Sequence, residues 1–175
     1  VNKFNKMLFI VALSGFGLSN AAIAGNTGTI RFIGSVTSQT CNIVGEQDNI
    51  YSNTITLGDY TKDEVLDGRT TEKLFNLRAF NDNQQECTPQ GSIEISWTPI
   101  NGWDQGGLMN TGTANDVVVK LMDKDSVAFG PLRNNVIYSQ SFAATYPFKA
   151  QLISSGTGVS AGSVRAAASF IVVYQ

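Results

Sequence analysis

This chain predicts an all-β fold, a β-sandwich, on three observations. Apolar residues alternate with period two through much of the sequence. Glycine- and asparagine-containing turns separate the alternating runs. No window holds a 3.6-residue period for three helical turns.

The runs follow one another along the chain. Ile30, Phe32 and Val36 share one parity, with Gly34 between the last two. Ile55 and Leu57 predict a further strand, and Phe75, Leu77 and Ala79 another. Ile93, Ile95 and Trp97 alternate, then Val117, Val119 and Leu121, with Met122 out of phase. Tyr146, Phe148, Ala150 and Leu152 form the next run. In the longest and last, Val164, Ala166, Ala168, Phe170, Val172 and Tyr174 are all even-numbered. Turns are expected at Asn101-Gly102, Gly106-Gly107, Thr111-Gly112 and Gly156-Thr157-Gly158. A single helical turn is expected at Glu64–Leu66, ended by Asp67-Gly68. The count, about seven or eight short strands with no fixed repeat, suits one sandwich domain.

Composition narrows the chemistry. With 42% hydrophobic and 15% charged residues, the 175-residue chain is too apolar and too weakly charged to be disordered. It contains no histidine, which excludes a Ser–His–Asp triad, a Cys–His dyad and a His-ligated zinc site. Twelve basic against 14 acidic residues leave a net charge of −2, so nucleic acid is not an expected partner.

Residues 1–24 read as a secretory signal peptide: Lys3 and Lys6, an apolar run from Met7 to Leu18, then Ala22-Ile23-Ala24. A membrane anchor is the rival reading, but the run is well short of the ~20 residues a spanning helix needs. Export gives Cys41 and Cys87 a default fate, a disulfide. The bridge would close a long loop, worth about 4 kcal/mol in the chain-entropy model. Two cysteines without histidine make a poor zinc site, and a thiol without a base makes a poor nucleophile.

Other motifs carry little. Gly156, Gly158 and Gly162 have the wrong spacing for a dinucleotide loop and read as a hairpin turn. Asp123 and Asp125 lack the glycine and distal glutamate of a calcium loop and read as a solvated turn. A carboxylate pair for glycoside hydrolysis cannot be placed from sequence. Trp97 reads as core, and Trp103, in the Asn101–Gly107 loop, as the better surface contact for a sugar.

The final strand carries a further signal. Ser169–Tyr174 has neither charge nor proline, the devices that blunt a free sheet edge, which favours an edge occupied by another strand; an ordinary central strand, paired on both sides within its own sheet, has the same periodicity. Three stretches resemble the type 1 family of pilus subunits assembled by the chaperone–usher pathway. They are Gly28–Val36 leading to Cys41, Phe75-Asn76-Leu77-Arg78 approaching Cys87, and Ala161-Gly162 through Phe170-x-Val172-x-Tyr174-Gln175. A glycine fourteenth from the end, Gly162, and a penultimate tyrosine, Tyr174, are the most specific features.

The resemblance implies an incomplete immunoglobulin-like β-sandwich lacking its last strand, with an N-terminal donor-strand extension. Residues 25–38 would form the arm and first strand, and 39–175 the pilin domain. The arm would present Ile30, Phe32, Gly34 and Val36 to a neighbour's groove. The receiving strand, which also binds the chaperone, would present Gly162, Val164, Ala166, Ala168, Phe170, Val172 and Tyr174. The implied partners are neighbouring pilus subunits, a periplasmic chaperone and an outer-membrane usher, with host glycans met only through other pilus components. The implied route runs through the periplasm to the surface pilus, with no cofactor, metal or catalysis. The chain departs from the family in three places: only four residues of arm precede Thr29, Ile171 and Val173 make the outward face of the last strand apolar, and Phe80–Glu86 looks inserted. The competing functions are a secreted carbohydrate-binding module and a small periplasmic hydrolase.

Overall fold

The computed structural model describes residues 41–175. The signal peptide, the arm residues Ile30, Phe32, Gly34 and Val36, and the expected boundary at residues 38/39 lie outside the described residues.

In chain order the elements are β1 (Asn42–Gln47), β2 (Ile50–Tyr51), α1 (Lys62–Leu66), β3 (Lys73–Phe80), β4 (Ile93–Pro99), β5 (Trp103–Asp104), β6 (Gly107–Leu108), β7 (Val117–Asp123), β8 (Asn135–Tyr138), β9 (Thr145–Ser154) and β10 (Ala168–Tyr174). They form two sheets, β2-β1-β3-β9-β7-β6-β5 and β10-β4-β8, and every pairing is antiparallel. The helical turn sits where Glu64–Leu66 predicted it. Thr61 caps it reciprocally with Glu64, and Gly68 follows its end at a φ of 66° that suits glycine.

Alternation holds where one strand face is core. Phe75, Leu77 and Ala79 on β3, Ile93, Ile95 and Trp97 on β4, and Tyr146, Phe148, Ala150 and Leu152 on β9 are all buried. Aromatic packing joins the sheets at Phe148, which stacks on Phe75 at 5.6 Å and meets Trp97 edge-on at 5.2 Å. Strand β7 behaves differently. Val118 and Met122 are fully buried on its other face, so the out-of-phase Met122 is buried away from the core that Val117, Val119 and Leu121 join. Gly107 of β6 lets that strand approach its sheet neighbour β7 closely, since a Cβ there would sit 2.7 Å from Val118 Cγ2. A strand covered on both faces has no reason to alternate.

Four sequence expectations need correction. Ile55 and Leu57 do not form a strand. Their segment is held by the Gln47 side chain, which accepts from Thr56 N–H at 2.7 Å and donates to Thr56 C=O at 2.9 Å. Gly156 and Gly158 do not join a hairpin, because β9 and β10 belong to different sheets; they pack on Asp116, whose carboxylate accepts from Gly158 N–H at 2.8 Å. Asp123 is not solvated: it is 4% exposed, accepts from the N–H groups of Asp125 and Val127, and pairs with Arg133 at 2.5 Å. Trp103 lies in β5 and is half-buried against the core. The stretch Phe80–Glu86, read as an insertion, closes as a small loop by a bridge between those two residues.

Candidate acceptor groove

Strand β10 pairs along its whole length with β4, from Ala168 opposite Pro99 to Tyr174 opposite Ile93. It is the first strand of its sheet, so among the described residues its other edge has no strand partner. Even-numbered β10 residues turn inward and are half-buried; odd-numbered ones are exposed.

Beside this edge lies a groove of about 1260 Å³. Its floor includes Phe75, Leu77, Trp97, Leu121, Ala150 and Leu152 from both sheets. One wall is the segment from Val159 to Phe170; the other is Ser52–Lys62. The floor is the sandwich core itself, reached from the side where the two sheets part.

The expected receiving residues divide between strand and approach. Gly162, Val164, Ala166, Ala168 and Phe170 line the groove. Strand assignment starts only at Ala168, so Val164 and Ala166 precede it. Their segment is bonded instead to the crossing chain at 110–114: Thr111 N–H donates to Arg165 C=O at 2.8 Å and Ala114 N–H to Ser163 C=O at 3.1 Å. This crossing explains the glycine. A Cβ on Gly162 would lie 2.4 Å from Ala114 N and 2.6 Å from Thr113 C, both backbone atoms that cannot swing aside. Phe170 meets Trp97 at 5.5 Å, edge-on. Val172 and Tyr174 pack against the core beyond the groove lining.

Tyr174 closes the far end. Its phenol accepts from Cys41 N–H and donates to Cys41 C=O, each at 3.2 Å. Cys41 is bonded to Cys87, with Cα atoms 5.8 Å apart, so the expected bridge is present and tethers β1 to the segment entering β4. Tyr146 lies nearby. Burial, with a smaller contribution from Tyr174, pushes its phenol up to about 12.

Sequence reasoning missed the Ser52–Lys62 wall. The apolar parity of Ile55 and Leu57 was visible, but nothing local says that an alternating pair will border a cleft instead of pairing. Tyr60, on this wall, shares a hydrogen bond with the Thr71 hydroxyl at 2.7 Å, which draws its pKa below the ordinary value. Among the described residues there is no cluster of three or more Cys, Asp or Glu that could hold a metal.

The fimbrial protein family matches residues 30–175. The chain is 25% identical over 186 residues to the K99 fimbrial protein of Escherichia coli, covering 97% of this chain and 99% of that protein. Its fold is similar to the crystal structure of the P pilus rod subunit PapA, with a TM-score of 0.54 at 17% identity, covering 84% of this chain and all of that one. This is the immunoglobulin-like fold of pilin subunits. The chain belongs to the fimbrial protein family.

Proposed function

We propose that this chain, a structural subunit of a surface pilus, polymerises head to tail by lending residues 25–38 to the groove of a neighbour. The observation that carries the reading is β10: an uncharged edge strand, unpaired on one side among the described residues, bordering an open apolar core. Backbone pairing along such an edge gives affinity, and alternate side chains filling the groove give specificity. Ile30, Phe32 and Val36 would supply the apolar side chains. At ~1.5–3 kcal/mol each, their burial offers roughly 5–9 kcal/mol before the cost of ordering the arm. Gly34, between them in parity, would let the two backbones approach. Such a contact does not close on itself, so it generates a filament.

Before assembly the same groove would take a strand from a periplasmic chaperone, and an outer-membrane usher would receive the pair. Residues 1–24 would direct export to the periplasm. No step in this scheme calls for catalysis.

The test is assembly of the full chain co-expressed with its chaperone and usher. Phe32→Asp is expected to leave a chaperone-bound subunit that forms no fibre. Fibres of normal length from Phe32→Asp would overturn the reading. A monomer that is stable without chaperone and binds glycans would favour the carbohydrate-binding alternative instead.

A further inference from the structure

The outer face of the β10-β4-β8 sheet is apolar around one acid. Strand register sets Val173, Glu94 and Ile137 in one row, and Ile171, Ser96 and Asn135 in the next. Ile171, Val173 and Ile137 are 60%, 45% and 58% exposed. The Glu94 carboxylate accepts from the amides of Asn135 and Gln175, both neutral, and has no cationic partner among the described residues. A carboxylate set among apolar side chains, one strand in from an edge without a strand partner among the described residues, fits an incoming strand that carries one cation and one apolar residue on the same face.

Residues 29–36 have that pattern. If Ile30, Phe32, Gly34 and Val36 face a groove, Arg31 and Ile33 face the other side of the sheet. We propose that Arg31 of one subunit pairs with Glu94 of its neighbour, its stem lying over Val173, while Ile33 sits beside Ile171. This rests on the strand-donation reading above and adds a second face to it.

Register and direction follow from matching side chains. Gly34 belongs opposite Phe170, the largest β10 side chain lining the groove. An antiparallel strand then places Val36 by Ala168, Phe32 by Val172 and Ile30 by Tyr174. On the outer face it sets Ile33 beside Ile171 and Arg31 beside Val173, in the row of Glu94. Two strand spacings separate Arg31 from Glu94, about 9.5–10 Å, which a guanidinium on an extended stem and a glutamate can bridge between them. A parallel strand with the same Gly34–Phe170 match sets Arg31 beside Ala167 and diagonal to Arg165, a like-charge contact. It also leaves Ile171 beside Ser35.

The experiment measures the rate at which fibres of the full chain dissociate in denaturant. Arg31→Glu and Glu94→Arg are each expected to speed dissociation roughly threefold to tenfold at low salt, the range of an exposed ion pair turned repulsive. The double variant is expected to return to within about twofold of the parent. The single-variant effects should shrink in 1 M salt, where the Debye length is about 3 Å. Silent single variants, or a double variant no slower than the faster single, would overturn the Arg31–Glu94 contact. Phe32→Asp run alongside separates the two ideas: if it blocks assembly while the charge variants are silent, only the outer-face contact fails; if it assembles normally, strand donation itself fails.

Discussion

One hydroxyl group joins the two ends of the described residues: the Tyr174 phenol bonds both the N–H and the C=O of Cys41, each at 3.2 Å. Cys41 stands where β1 begins, and Tyr174 ends the edge strand β10. The link therefore ties the start of β1 to the edge that borders the groove. Tyr174→Phe keeps the ring and removes both bonds. The expected loss is about 1–2 kcal/mol, seen as a lower denaturant midpoint of the chaperone-bound subunit. An unchanged midpoint would show that the link contributes nothing.

The disulfide spans 46 positions, and Cys87 is 2% exposed. Replacing both cysteines by serine is expected to cost about 4 kcal/mol, mainly by freeing the unfolded chain. Periplasmic yield of the double variant should fall sharply. Yield equal to the parent would mean that packing alone holds β1 on the body.

Gly162 is constrained by space. Gly162→Ala places a methyl group against the backbone of Thr113 and Ala114. The expected destabilisation is about 1–3 kcal/mol, with the 110–114 crossing displaced. Amide exchange at Ala114, whose N–H is bonded to Ser163, should accelerate. Protection unchanged from the parent would refute the steric argument.

Asp123 is predicted to be structural. Its carboxylate holds two backbone N–H groups of the β7–β8 connection and the Arg133 guanidinium, which also lies 4.9 Å over the Phe129 ring. Asp123→Ala strands these donors and should cost about 2–3 kcal/mol, less than a fully buried pair because Arg133 is partly exposed. Thermal melting of the chaperone-bound subunit would measure it.

Stability should bend at both ends of the pH scale. Hydrogen bonding from Lys149 holds the Glu72 carboxyl below its ordinary 4.5, so its contribution is present above that value and is lost as pH falls through the lowered one. Tyr146 shifts the other way: its contribution is complete below pH 10 and is lost as pH rises toward about 12. Glu72→Gln should flatten the acid side of a midpoint-against-pH curve, and Tyr146→Phe the alkaline side. Curves parallel to the parent would contradict both assignments.

By itself the sequence determined which strands face a core on one side only. In β3, β4, β9 and β10 each residue's face is set by the two-residue pleat, so parity alone sorts inward from outward. The pairing of Cys41 with Cys87 was equally legible, since no other cysteine exists. Tertiary structure decided what parity cannot carry. Val118 and Met122 are buried although they sit on the face of β7 opposite the core, and parity alone does not say whether that second face is covered. Asp123 was drawn inside because Arg133 and two N–H groups arrive from residues downstream. Ile55 and Leu57 became a groove wall because the Gln47 side chain took the backbone groups a neighbouring strand would have used. Whether a strand is central or at an edge depends on which chain lies beside it, and that is a property of the assembled sheet, not of the strand.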